Sequence, residues 1–194
     1  MSRKPVKAFL TKLDELNVIM LESWYTADRK DREALVKDDL FDLLVEAYLL
    51  GIDHASDTLG QVVISDPDRM EEAIYRKIDG QTFEDRVVTH VRTGNVAGLQ
   101  TLAESEYHRV FNQGAADGAK EVAKETGRPV YKTWRTMRDD RVRETHFDLE
   151  GQTIPQNDYF FANDGDQALY PGGFTNPENN VNCRCWLDYR RVNS

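Results

Sequence analysis

Apolar side chains recur three or four positions apart through the first two thirds of the chain. This spacing places them on one face of a helix and is typical of amphipathic helices. Pro5 and Pro67 suit a first helical turn, and Thr82 suits a cap. The pattern predicts helices over about residues 5–24, 35–59, 67–78, 82–91 and 96–125. Gly114 and Gly118 lie inside the last of them, where glycine disfavours a continuous helix.

The pattern changes after Arg128. Val130, Lys132 and Trp134 alternate with their neighbours, which predicts a strand. A short helix is predicted over residues 139–147, and turn-forming glycine and proline are frequent beyond it. Residues 185–189 alternate again, and we expect them to pair back on the strand near Trp134.

Together these elements predict an α+β fold, in which a mainly helical N-terminal body is followed by a small, loop-rich α+β C-terminal module. The boundary falls near residue 128, so residues 1–128 form the body and residues 129–194 form the module. The apolar stripes of the body have two interpretations. Either they pack helix against helix, or one of them docks a partner protein.

The charge of the chain and its distribution limit the classes of function that the protein can have. Lys+Arg number 25 against 34 Asp+Glu, for a net charge of −9, while 40% of the residues are hydrophobic. This balance argues against a protein that coats nucleic acid through bulk charge. The longest uncharged stretches, residues 93–103 and 167–177, are too short and polar to span a bilayer. Because charges also interrupt the N-terminal residues, we expect neither a signal peptide nor a membrane partner.

His146, Cys183 and Cys185 are the candidate metal ligands. Imidazole nitrogen and thiolate sulfur are the ligands that zinc prefers, and Cys183 and Cys185 are the only cysteines. A loop-rich segment gains stability from such a site because metal binding becomes folding free energy. A fourth ligand is not evident; water, Asp164 or Asp166 are candidates. The alternative is two buried thiols beside a hydrogen-bonded histidine.

A basic segment precedes His146 in the chain. Its candidate nucleic-acid contacts are Lys132, Arg135, Arg138 and Arg141. Acidic residues are interleaved with them, so the alternative is a solvated, salt-bridged helix. Asp139 or Asp140 is interpreted there as a helix N-cap, and Asp139 is also placed to pair with Arg143.

The last predicted helix of the body carries a polar run. Glu106 and Arg109 are three residues apart and Glu104 and His108 are four apart, which predicts local pairs. The isolated His54 is interpreted as a partly buried or surface histidine rather than a ligand.

Signatures of the common enzyme classes are missing from the sequence: it has no phosphate-binding P-loop, no nucleophile elbow and no His-Glu-x-x-His helix. The enzymatic alternative is a zinc-dependent hydrolase or nuclease whose open fourth position activates water. Asp139 or Glu178 would then be its general base.

Residues of the C-terminal module follow a familiar order. Lys132-Thr133-Trp134 is followed by Thr136, Asp139, Arg141-Val142-Arg143, His146, Gly151, Pro171-Gly172 and the run from Glu178 to Cys185. This order resembles the phage Mu F-like head morphogenesis family, the minor head proteins of tailed phages. The resemblance covers about residues 100–189. Glu106 and Asn112 look like the glutamate and asparagine that this family carries on the preceding helix.

The resemblance implies a non-enzymatic, low-copy component of the virion. Such a protein would lie inside the capsid at the portal vertex, after assembly in the host cytoplasm. It would assist head assembly, DNA packaging or DNA delivery. The implied partners are the phage portal protein, the major capsid or scaffold protein, and genomic DNA.

Overall fold

A computed structural model describes residues 31–191 together with residues 11, 15, 18, 22, 24, 25 and 28. The helix predicted over residues 5–24 falls largely outside the described residues. Between residues 31 and 126 the chain is mainly helical, and the strands of the described residues come after residue 129, which confirms the predicted α+β class. No helix in the described part of the chain combines the length and the apolarity needed to cross a membrane.

From residue 31 onwards the body is described as four helices, and local capping sets their ends. They are α1 (Arg32–Leu59), α2 (Pro67–Tyr75), α3 (Phe83–Thr93) and α4 (Val96–Thr126). Thr82 and Asp85 form a reciprocal capping box at the start of α3, as the cap prediction requires. Helix α4 is continuous through Gly114 and Gly118. Helix α2 ends three residues earlier than predicted, because Ile78 forms a bridge with Gln81 instead of another helical turn.

The glycines of α4 serve its crossing with α1. At Gly51 of α1, an added Cβ would lie 2.1 Å from the backbone oxygen of Phe111. At Gly114 of α4, an added Cβ would lie 2.3 Å from the backbone oxygen of Tyr48. Both distances are far below van der Waals contact, so the two backbones approach this closely only because neither position carries a side chain.

The C-terminal region contains an antiparallel three-stranded sheet. Strands β1 (Val130–Arg135), β2 (Thr153–Pro155) and β5 (Trp186–Arg191) lie in the order β2-β1-β5. Trp134 pairs with Leu187, so the predicted return of the last strand onto the first is confirmed. The remaining elements are a 3₁₀ helix (Glu144–Leu149), a small hairpin of β3 (Phe160–Phe161) and β4 (Gln167–Ala168), and the short helix α5 (Pro177–Asn180).

The helix predicted over residues 139–147 is wrong in its first half. The regular turn begins only at Glu144, and residues 139–143 form bends. Asp139 is not its N-cap, because the helix starts five residues later and Arg143 precedes it. The carboxylate of Asp139 accepts hydrogen bonds from Arg184, at 2.7 and 2.9 Å, and from the backbone N–H of Arg141. The ion pair between Asp139 and Arg184 replaces the predicted pair between Asp139 and Arg143.

Two buried histidines attach the sheet to the helical body. The Nε2 of His54 in α1 donates to the carbonyl oxygen of Leu187, and the Nε2 of His108 in α4 donates to that of Cys185, each at 2.6 Å. These carbonyls lie two residues apart on the edge of β5 that faces away from β1. We call these two contacts the histidine clamp. It takes the place of a neighbouring strand and satisfies groups that burial would otherwise leave unpaired.

Candidate metal centre

Two separate pieces of the C-terminal region bring the candidate ligands together. His146 lies on the 3₁₀ helix, and Cys183 and Cys185 lie just before β5. Asn182 adopts the left-handed conformation (φ 57°), which turns the chain after α5 and allows the two cysteines to face the same point. The sequence prediction of this three-residue grouping is confirmed as a geometric arrangement.

The distances within this cluster match those of a zinc site. The Nδ1 of His146 lies 3.8 Å from the Sγ of Cys183 and 3.6 Å from the Sγ of Cys185. All three ligand atoms lie within 4.8 Å of one another, and all three residues are buried. In a tetrahedral site with ordinary Zn–S and Zn–N bond lengths, nitrogen and sulfur are about 3.6 Å apart. The cluster could therefore hold a zinc ion with little rearrangement.

Aromatic packing fixes the orientation of the His146 ring. The ring stacks on Phe174 with a centroid distance of 5.2 Å and meets the edge of Trp134 at 5.6 Å. The Nδ1 consequently faces the sulfurs. The Nε2 is buried and has no hydrogen-bond partner among the described residues. Packing thus takes the orienting role that a hydrogen bond to the second nitrogen often plays at metal-binding histidines.

The two thiols differ in acidity. The neighbouring thiol of Cys185, aided by His108 and His146, lowers the pKa of Cys183 well below its usual range. The same interaction with Cys183, together with burial, raises the pKa of Cys185. One thiolate is therefore already favoured at the site, and a bound cation would displace the proton of the second thiol.

Asp164 and Asp166, the predicted candidates for a fourth ligand, belong to a neighbouring network. Asp166 accepts hydrogen bonds from the backbone N–H groups of Thr175 and Asn176, at 3.2 and 2.8 Å. Asp164 accepts one from the side chain of Asn179 at 2.9 Å. The described metal-ligating cluster includes neither carboxylate. These groups support the site indirectly, because Asn179 in turn accepts a hydrogen bond from Thr145, next to His146.

The candidate general bases are also absent from the described cluster. Asp139 is paired with Arg184, and these contacts lower the pKa of its carboxyl group. Glu178 is exposed on α5. Neither carboxylate belongs to the group of atoms that surrounds the His146 imidazole.

The four predicted nucleic-acid residues differ in how accessible their charges are. Lys132 is buried, with its Nζ 2.8 Å from the carbonyl oxygen of Leu169, so the prediction that it contacts nucleic acid is wrong. Arg135 pairs with Asp188 at 2.9 Å, and Arg138 pairs with Glu150 at 2.8 Å. Arg141 is exposed. Contact of these three arginines with DNA stays a prediction.

The buried Lys132 makes stability depend on pH. Burial lowers its pKa from an ordinary 10.5 to about 7. Between these values the unfolded chain binds the proton more tightly than the folded one, so the free energy of unfolding rises with pH across this window and levels off below it. We expect a gain of about 1–2 kcal/mol between pH 7 and pH 9 in urea titrations.

Lys132→Met should remove that gain. The matched change Lys124→Met, at an exposed side chain of α4, should leave it intact. Equal pH dependence in the wild type and Lys132→Met would show that the buried amine does not titrate in this range.

The geometry can now be compared with known proteins. A family model described as "Phage Mu protein F like protein" matches residues 67–188. The chain belongs to this family. It is also 30% identical over 95 residues to the minor head protein GP7 of Bacillus phage SPP1, a match that covers 49% of this chain and 30% of that protein. No solved structure shows a significant match.

Two polar residues of α4 that resemble family positions have clear structural roles. Asn112 is buried, and its side-chain amide contacts the Cys185 carbonyl oxygen at 3.3 Å beside the histidine clamp. Glu106 forms the predicted pair with Arg109, at 2.8 Å, and a second pair with Arg86. Sequence reasoning missed the role of His108, because the strand carbonyl that it binds is 77 residues away.

Proposed function

We propose that this phage minor head protein works inside the virion, bound to the portal protein at the portal vertex, and assists head assembly, DNA packaging or DNA delivery. The observation that carries the proposal is membership of the Mu F-like family over residues 67–188. The similarity to a minor head protein of another phage supports it. In this function the protein acts by binding rather than by catalysing a reaction.

The proposal assigns a structural zinc ion to His146, Cys183 and Cys185. A catalytic zinc keeps an open position for water and substrate, whereas a structural site is closed. All three side chains are buried, and the space beside them amounts to about 10 Å³. That volume holds about one water molecule and leaves no room for a substrate. The ion would supply cross-linking between the 3₁₀ helix and the start of β5.

We place the portal-binding surface on the helical body, as the predicted division of the chain suggests. Phe41 of α1 and Tyr75 at the end of α2 are 36% and 47% exposed, and their rings lie 5.8 Å apart. They line a groove of about 270 Å³ between α1, α2 and α3, with Lys37 and Glu84 at its rim. Exposed aromatic side chains of this kind are common anchors of protein interfaces.

Co-purification with the portal protein of the same phage tests this proposal. At physiological salt we expect the two proteins to co-elute from a size-exclusion column. Phe41→Glu should weaken the complex at least tenfold, because it places a charge in the groove. Phe147→Glu, a matched change at an exposed phenylalanine of the C-terminal region, should not. Separate elution of both well-folded proteins would overturn the proposal.

A further inference from the structure

A large cleft of the described protein opens beside the first half of α4. It has a volume of about 700 Å³ and is bounded by the connection between α2 and α3, by α3, by the first half of α4 and by the loop before α5. This size is typical of sites that bind small organic molecules or short peptide segments. Neither the metal centre nor the proposed portal groove uses it.

A buried ionic group forms one wall of this cleft. Glu106 accepts from Arg86 at 3.1 Å and from Arg109 at 2.8 Å, so one carboxylate faces two guanidinium groups. Burial alone raises the pKa of Glu106, but the two arginines lower it overall, which keeps the carboxylate charged. The wall therefore carries one positive charge in excess.

The excess positive charge of this wall lies on Arg86. The other donors of Arg109 are used, because they bind the side chain of Gln113 at 3.0 Å and the carbonyl of Ala73 at 2.8 Å. Arg86 uses its Nε on the Thr82 carbonyl and its Nη1 on Glu106. Its Nη2 is buried and has no hydrogen-bond partner among the described residues. A buried charged donor without an acceptor is costly. A small rotation of the Arg86 guanidinium toward the cleft would let a ligand oxygen accept from this donor and relieve that cost.

The rest of the lining matches an anion with an apolar part. Arg76 and Lys77 add positive charge at the rim against the single carboxylate of Asp79, in a chain whose overall charge is −9. The hydroxyl of Ser105 is a second buried polar group of the wall without a partner in the described part of the chain. Apolar side chains complete the lining: Ile78, Leu102, Phe174 and Val181.

We infer that this cleft is a binding site for an organic carboxylate, whose charged oxygen binds Arg86 and whose apolar part lies against Leu102 and Phe174. The ligand is either a free small molecule or a glutamate or aspartate side chain within an apolar segment of a partner protein. Both present the same chemistry to the cleft. The wall of Arg86, Glu106 and Arg109 fixes the position of the guanidinium before the ligand arrives.

NMR titrations of the full chain with octanoate test the site. We expect saturable shifts of cleft residues, and at least tenfold weaker binding of the uncharged octanamide and of inorganic phosphate. Arg86→Gln should weaken octanoate binding at least tenfold. Arg92→Gln, the same change on the exposed face of the same helix, should leave it unchanged. Because the octanamide comparison uses the unaltered protein, it tests whether binding needs the carboxylate charge even if Arg86→Gln does not fold.

A pentapeptide with one glutamate between leucines separates the two sources of the carboxylate. Tenfold tighter binding of the peptide than of octanoate assigns the site to a partner segment, and the reverse order assigns it to a small molecule. Absence of saturable binding by either probe would overturn the inference. So would equal binding of octanoate and octanamide, or tighter binding of phosphate than of octanoate.

Discussion

Gly114→Ala is expected to lower the free energy of unfolding by about 3 kcal/mol or more. Alanine normally stabilises a helix relative to glycine by about 1 kcal/mol. A loss of stability on this substitution would therefore indicate a steric clash. Here the new methyl group would lie 2.3 Å from the backbone oxygen of Tyr48. Since the obstacle is helix backbone rather than the end of a flexible side chain, α1 and α4 must move apart and lose contact along their shared core. Urea denaturation followed by circular dichroism measures the effect.

Gly98→Ala is the matched control in the same helix. The atoms nearest to its added Cβ belong to the side chains of Asn95 and His90, at 2.5 and 2.6 Å. Side chains can shift more easily than backbone, although Asn95 also caps the N–H of Gly98. We therefore expect a change of no more than about 1 kcal/mol. Equal effects of the two substitutions would mean that the close crossing of α1 and α4 does not contribute to stability in the way described.

Removal of the proposed zinc ion is expected to lower the melting temperature by about 10 °C or more. Metal binding to the folded state contributes directly to folding free energy, and about 4 kcal/mol corresponds to about 10 °C in a chain of this size. Elemental analysis of protein purified without chelator should give about one zinc per chain. Thermal melts with and without a strong chelator measure the shift. The absence of near-stoichiometric zinc would remove the proposed metal site.

Two variants separate loss of the metal from other effects. Cys185→Ser should bind no zinc, melt near the temperature of the chelated wild type, and show no further change with chelator. His90→Ala, a histidine substitution outside the site, should keep both the metal and the chelator response. If Cys185→Ser still loses stability on chelation, the ion that the chelator removes is bound elsewhere.

The sequence predicts the helices well because local chemistry fixes their ends. The capping box of Thr82 and Asp85 and the left-handed Gly127 act over one turn, so they can be recognised without a structure. The metal-ligating cluster is also predictable. The two cysteines are the only ones in the chain and lie one residue apart, and a histidine lies in the same loop-rich region. This pattern is typical of metal ligands and predicts that the three side chains lie close together.

What the sequence could not predict depends on long-range partners. The sequence around Asp139 predicts a helix cap, but its carboxylate pairs with Arg184, which is 45 residues away. Lys132 looks like a surface cation because alternation in a strand does not say which face the rest of the fold covers. His108 looks like the partner of a residue one turn away, yet it also binds a carbonyl of β5. In each case tertiary contacts overrode a local preference.

The histidine clamp determines how small a piece of this protein can fold. A fragment that began at residue 129 would keep the sheet and the metal ligands but would leave the carbonyls of Cys185 and Leu187 on a bare strand edge. Such an edge recruits strands from other molecules and leads to aggregation. His54 precedes the segment that matches the family model, so part of the support of that segment comes from a helix outside the match. The module and the body therefore form one unit of stability, although their secondary structures differ.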